Sequence, residues 1–145
     1  MTNQADETFT VRAYARAVTF DQATQPRCNI GPEEIAQRRR MGLVFLAIAV
    51  GLALLLVAID APAWVRIAIW PPLAAAFTTL EQVRRRFCVA FGMAGVRNFG
   101  PEVGHAQRIE DDEARATDRR TAIVMATYSS LAAALVTVLF VLLPV

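Results

Sequence analysis

The hydrophobic positions of this chain are gathered into long unbroken windows instead of alternating with polar ones. Met41 to Ile59 runs for nineteen residues without an ionisable side chain, rich in Leu, Val, Ile and Ala, and about twenty such residues cross a hydrocarbon core of roughly 30 Å. Thr121 to Val145 supplies twenty-five more. Both windows predict membrane-spanning helices. Between them, Ile67 to Leu80 holds only fourteen uncharged residues, but it reaches crossing length once Ala61 to Val65 is added and Arg66 snorkels to the headgroups. This middle segment carries Pro71 and Pro72 in its interior, where proline removes backbone hydrogen bonds. A bent helix is expected there, its kink serving packing in preference to gating, with a re-entrant hairpin as the alternative. Trp64 and Trp70, in its first half, suit interfacial anchors. The pattern therefore predicts an all-α polytopic membrane protein with three transmembrane helices, the second kinked at Pro71-Pro72.

The flanking segments have patterns of their own. Pro32, in Gly31-Pro32-Glu33-Glu34, fits a first helical position, and the two glutamates suit the positive end of the helix dipole. Nothing before Ile59 breaks that helix, which predicts one rod of about 42 Å. Upstream, Val11, Tyr14, Ala15 and Val18 recur at helical spacing beside Arg12 and Arg16, as in an interfacial amphipathic helix; Phe9, Val11, Ala13, Ala15 and Ala17 also alternate as in a strand. The forty residues before the first window argue against a secretory signal. After the middle segment come Arg84-Arg85-Arg86 and the apolar run Phe87 to Val96, too short to cross and so expected to lie at the surface or fold back onto the bundle. The acidic run Glu110 to Glu113, ahead of Arg115, Arg119 and Arg120, reads as a solvated turn and first helical turn, since EF-hand spacing is missing. The expected plan is an N-terminal arm (1–31), a helix containing the first span (32–59), a short outer loop and second span (60–83), a cytoplasmic loop (84–120) and the third span (121–145).

Composition agrees with this plan, and charge orients it. Of 145 residues, 55% are apolar and 19% charged, against about 45–50% and about 25% for soluble domains. The net charge is only +2, and every one of the fifteen basic residues is arginine. Six precede the first span, including Arg38, Arg39 and Arg40. Eight lie between the second and third, including Arg84, Arg85, Arg86, Arg119 and Arg120; Arg66 alone sits in the first loop. Arginine on one side predicts a cytoplasmic N-terminus and an outer C-terminus, because basic residues, not net charge, set orientation. The same arithmetic argues against a disordered tail, a disulfide-rich module and a nucleic-acid binder.

Candidate chemistry is sparse. Cys28 and Cys88 stand near arginines, which favour the thiolate, so a redox or sulfur-handling role for these two is one hypothesis. Buried structural cysteine is the plainer reading. A zinc site from Cys28, Cys88 and His105 is one ligand short. Metalloprotease, P-loop and nucleophile-elbow motifs are missing, and the two long windows carry no carboxylate for a proton or ion pathway. No catalytic residue, metal or cofactor is expected. The helices instead suit packing: Ala122, Ala126, Ser130 and Ala134 recur every fourth residue, and Ala47 with Gly51 forms a shorter stripe. The hydroxyls of Thr127, Ser129, Ser130 and Thr137 are available for bonds between helices.

At Asn29-Ile30-Gly31, followed by Arg38 and Gly42, the sequence resembles the two-helix inner-membrane domain that ends the YgaP-type membrane rhodaneses and also occurs alone in bacteria. Phe87-Cys88 with Gly92 or Gly95 stands for that family's closing segment, so the resemblance covers about residues 28–95. An arginine of the family pattern falls on Ile35, Val89 replaces the proline after the cysteine, and the third span has no counterpart. The resemblance implies a bacterial inner membrane and a sulfur or thiol context centred on Cys88. The leading expectation is a non-enzymatic accessory or assembly subunit of a larger membrane complex, respiratory or photosynthetic, with lipid and other integral subunits as partners. Thiol chemistry and a homo-oligomeric pore or carrier are the alternatives.

Overall fold

The computed structural model describes residues 28–100 and 102–144. The segment around Val11, Tyr14, Ala15 and Val18, with Arg12, Arg16 and Arg27, lies outside the described residues. Four α-helices are present among those described: α1 (Pro32–Ala58), α2 (Trp70–Arg85), α3 (Val89–Ala94) and α4 (Asp112–Val141). A 3-10 helix, Val65–Ile69, runs directly into α2. Two short strands, β1 (Val96–Arg97) and β2 (Gln107–Arg108), pair antiparallel, with Val96 opposite Arg108. Ile30 forms a parallel bridge to Asn98.

Local chemistry explains the helix ends. Pro32 opens α1, where its missing N–H is no loss, with Gly31 as N-cap. The helix closes through Asp60, which is left-handed at φ 49. Asp60 N donates to the Val57 carbonyl at 3.1 Å and Ala61 N to that of Leu56 at 2.9 Å, and Ala61 buries its methyl against Leu56. The acidic run begins α4: Asp111 is its N-cap and accepts from Glu113 N at 3.0 Å, while Asp112 pairs with Arg115 one turn on.

Helix α2 lies between α1 and α4 and packs on both. Three layers of side chains fix its direction. Leu56, Ala61 and Ile69 meet Phe140 at one end, Ala49 meets Leu73 and Ala133 halfway, and Phe87 meets Ala122 and Met125 at the other. Thus α2 runs opposite to its two neighbours. The same order gathers Arg38 to Arg40, Arg84 to Arg86, and Arg115, Arg119 and Arg120 at one end of the helices and leaves Arg66 at the other.

Helices α1 and α4 are long and apolar enough to cross a membrane, yet only 17% and 22% of their apolar windows are buried. A core helix of a water-soluble protein would be mostly covered. Here large apolar side chains face outward, Leu54 at 67% and Leu131 at 64% exposure, while the contacts between helices use Gly42, Ala49, Ala76, Ala122 and Ala133. No residue from Pro72 to Val83 is exposed.

Two expectations change, and the helix faces are now defined. Pro71 and Pro72 occupy the first turn of α2, not a helix interior, and the switch from 3-10 to α geometry just before them replaces the expected kink. Arg66 does not snorkel: it is buried, donating from Nε to the Ala61 carbonyl at 2.9 Å and from Nη1 to the Leu143 carbonyl at 3.0 Å. Main-chain carbonyls just past the ends of α1 and α4 offer the guanidinium closer partners than headgroups would. In α4 the seam is Ala122, Met125, Ser129, Ala133 and Thr137, with Ala126, Ser130 and Ala134 on its half-buried flank. Packing on both α2 and α3 turns the face away from the simple four-residue stripe. Ala47 and Gly51 face outward, because α1 meets α2 through Gly42, Ala49 and Leu56 at seven-residue spacing. The hydroxyls of Thr79 and Thr137 bond to Ala75 and Ala133 of their own helices and not across the interface.

At Gly42 a Cβ would lie 2.8 Å from the Leu80 side chain, whereas Gly51 has nothing within 4 Å. Gly42→Leu should therefore destabilise the fold by about 1–3 kcal/mol through overpacking, and Gly51→Leu should leave it near wild type. Thermal unfolding in detergent followed by circular dichroism reads the difference.

Candidate functional site

The arginine-rich end of the helices encloses a buried polar cluster assembled from segments far apart in sequence. Helix α2 ends with Arg86 in the left-handed region at φ 52, a position that costs a non-glycine residue on the order of 1 kcal/mol. Phe87 N returns to the Gln82 carbonyl at 3.0 Å, which turns the chain and drives the Phe87 ring inward. Cys88 follows in extended geometry as the N-cap of α3. Its main chain is held by a single carboxamide: Asn29 Nδ2 donates to the Cys88 carbonyl at 3.0 Å, and Asn29 Oδ1 accepts from Cys88 N at 2.6 Å. Asn29 N also donates to the Arg86 carbonyl at 3.2 Å.

A second asparagine extends the cluster. Asn98 N donates to the Asn29 carbonyl at 2.9 Å, and Gly31 N donates to that of Asn98 at 2.7 Å. The approach is close enough that a Cβ on Gly31 would stand 3.3 Å from the Phe99 main chain. Asn98 Nδ2 donates to Glu34 Oε1 at 3.0 Å and to the Glu102 carbonyl at 2.8 Å, while its Oδ1 accepts from Gly100 N at 3.0 Å. Glu34, 1% exposed in the first turn of α1, accepts also from Gly104 N at 2.7 Å and faces Arg38 at 3.7 Å. Its negative charge sits where the α1 dipole favours it.

Helix α3 folds back onto α4, one of the two placements expected for the run from Phe87 to Val96. Gly92 makes this possible, since a Cβ there would fall 2.5 Å from the Phe87 ring and 3.0 Å from the Asp118 carbonyl. Buried Asp118 meets Arg97 at 3.5 Å. Asp118 Oδ2, Arg97 Nε and Arg38 Nε have no hydrogen-bond partner among the described residues, so the ionic contacts here are looser than the amide ones.

This arrangement fixes backbone and offers little chemistry. Cys88 is fully enclosed, Cys28 is half-buried, and both are thiols. His105 is exposed, 3.2 Å from Glu102. Among the described residues, no group of three or more His, Cys, Asp or Glu is placed to hold a metal ion. Of the arginines used to orient the chain, Arg84 and Arg85 pair with Glu81 and Arg38 with Glu34. The polar residues that matter most here had uneven signals in the sequence. Asn29 and Glu34 lay in recognisable patterns, but nothing local marked Asn98.

Removing the Asn29 carboxamide strands two buried groups of Cys88, each worth about 1–3 kcal/mol. Asn29→Ala should lower the unfolding temperature more than Cys88→Ser does, and should make Cys88 reactive to maleimide under native conditions. In the wild type, Cys28 should label well before Cys88, which should wait for unfolding; mass spectrometry of timed samples distinguishes the two sites.

No protein family, curated protein or solved structure matches the chain.

Proposed function

We propose that this chain is a three-span protein of the bacterial inner membrane that acts, without catalysis of its own, as an accessory or assembly subunit of a larger membrane complex. The observation that carries the reading is the burial pattern of α1 and α4: most of their bulky apolar side chains face outward, while their buried positions are mostly small or polar. Such a surface is stable in lipid and unfavourable in water.

The third crossing rests on α2. With the 3-10 helix before it, the segment Val65–Arg85 extends about 34 Å at the usual rises per residue. That matches the hydrocarbon thickness. Its flanking helices shield Thr78, Thr79 and Gln82 from lipid, so the middle span tolerates a polarity the outer two do not. Arginine crowding at one end supports an N-terminus in the cytoplasm.

The subunit reading rests on the outward faces. Ala47 and Gly51 form a shallow notch on α1 that no helix among the described residues fills, and small residues are enriched where membrane helices approach closely. The likeness to the rhodanese-linked domain belongs to the same reading: Asn29 and Cys88, near its two ends, hydrogen-bond to each other. Thiol chemistry has weaker support, because Cys88 is enclosed.

After mild detergent extraction the chain should co-migrate with larger subunits in native gels, and Gly51→Leu should reduce that fraction several-fold without lowering the stability of the purified chain. A wild-type chain that always runs as a free monomer would sink the proposal. Orientation has its own test. In a Cys28→Ser background, a cysteine introduced at exposed Ala63 should label from outside intact cells, and one at exposed Val103 only after the membrane is opened.

A further inference from the structure

The groove between α3 and α4 has chemistry that the packing role does not use. It is open, about 420 Å³ in volume, with a floor running from Gly92 to Gly95 and a wall of Arg115, Ala116, Arg119, Arg120 and Ile123. Neither glycine of the floor has room for a side chain. Gly92 lies under the Phe87 ring, and Gly95 is left-handed at φ 67 with the Arg115 stem 2.9 Å from where a Cβ would be.

We propose that this groove binds the phosphate headgroup of an anionic phospholipid. Three observations converge on that ligand. First, the guanidiniums are available: Arg115 is paired with Asp112, but Arg119 and Arg120 are exposed and have no carboxylate within ion-pair distance among the described residues. Arg84, Arg85 and Arg97, at the same end of the molecule, are each committed to an acid. Second, guanidinium groups suit phosphate oxygens through forked, charge-assisted hydrogen bonds. Third, the groove opens onto an apolar lip. Met93 and Ile123 are each about half exposed, and one turn beyond Arg119 and Arg120 the outward face of α4 continues through Val124, Tyr128 and Leu131, all well exposed. A ligand seated here meets positive charge at one end and hydrocarbon at the other, which matches a lipid better than free phosphate. Basic pockets beside membrane helices on the cytoplasmic side commonly take such headgroups.

This inference rests on the membrane reading above, and the test separates the two. The full chain is placed in phosphatidylcholine nanodiscs, and binding of spin-labelled phosphatidylglycerol is measured as immobilised signal. Saturable binding at one lipid per chain is expected. Arg119→Gln/Arg120→Gln should weaken it by on the order of tenfold, Ala116→Glu should weaken it similarly, and Arg84→Gln/Arg85→Gln, with the same loss of charge, should stay near wild type. Equal weakening by both double variants would assign the effect to diffuse charge and overturn the site. Inorganic phosphate at millimolar concentration should not displace the lipid; displacement would assign the groove to a free anion and overturn the lipid proposal. A chain that leaves native membranes without detergent overturns the membrane reading, whereas one that inserts but binds no lipid saturably overturns the groove alone.

Discussion

The Asn29 carboxamide is the point on which the arginine-rich end of this protein depends. After α2 ends, the chain must turn, bury Phe87 and start α3 within three residues, which strands the N–H and C=O of Cys88 away from solvent. One side chain satisfies both groups. Because Asn29 lies two residues before the N-cap of α1, the clamp also fixes where α1 starts relative to the end of α2, and the bridge from Ile30 to Asn98 carries the constraint on to β1. The connection is cooperative: loss of any one segment exposes donors and acceptors on the others, in a setting where an unmade bond is costly.

Away from that end, close approach of backbones takes over as the organising constraint. Gly42 meets Leu80, Ala49 meets Leu73, and Ala133 lies against the same layer. In a bilayer there would be little hydrophobic gain from burying a leucine, and small residues that admit dispersion contacts would make the better seam. The far end is closed differently, by Arg66. It donates to carbonyls near the ends of α1 and α4, joining the first loop to the last helix with charge-assisted bonds.

Much of this was legible in the sequence. Uncharged windows marked α1 and α4, Pro32 and the acidic run marked where they begin, and Phe87 to Val96 was too short for anything but a surface or returning segment. What was not legible has a common cause. Spacing alone finds stripes of small residues but not which one faces inward: the partner helix sets that, and α1 turns Ala49 toward α2 while Ala47 and Gly51 face outward. Pro71 and Pro72 were misplaced because a segment can change helix type, and then a proline pair starts the α-helical portion instead of breaking it. Arg66 looked like a snorkelling residue because its acceptors, at Ala61 and Leu143, are main-chain groups that no side-chain pattern reveals. Asn98 was illegible for a similar reason, since its partners come from residues 29, 31, 34, 100 and 102.

The division between inside and outside also narrows where activity can reside. The buried amides and Glu34 are occupied with main-chain and side-chain donors, and Cys88 is enclosed by the elements its backbone helps to position, so the interior is committed to holding the fold. Two kinds of surface stand out among the described residues: apolar helix surface on α1 and α4, and guanidinium groups beside the groove on α3 and α4. Apolar surface recognises helices or acyl chains and discriminates weakly among them, whereas the uncommitted arginines recognise anions. Their adjacency on α4 allows one amphiphile to satisfy both, and a headgroup held beside Arg119 and Arg120 would fix the depth and rotation of α4 in the bilayer. Since α4 packs on α2, and α2 on α1, that would also set the angle of α1 and of its outward face at Ala47 and Gly51.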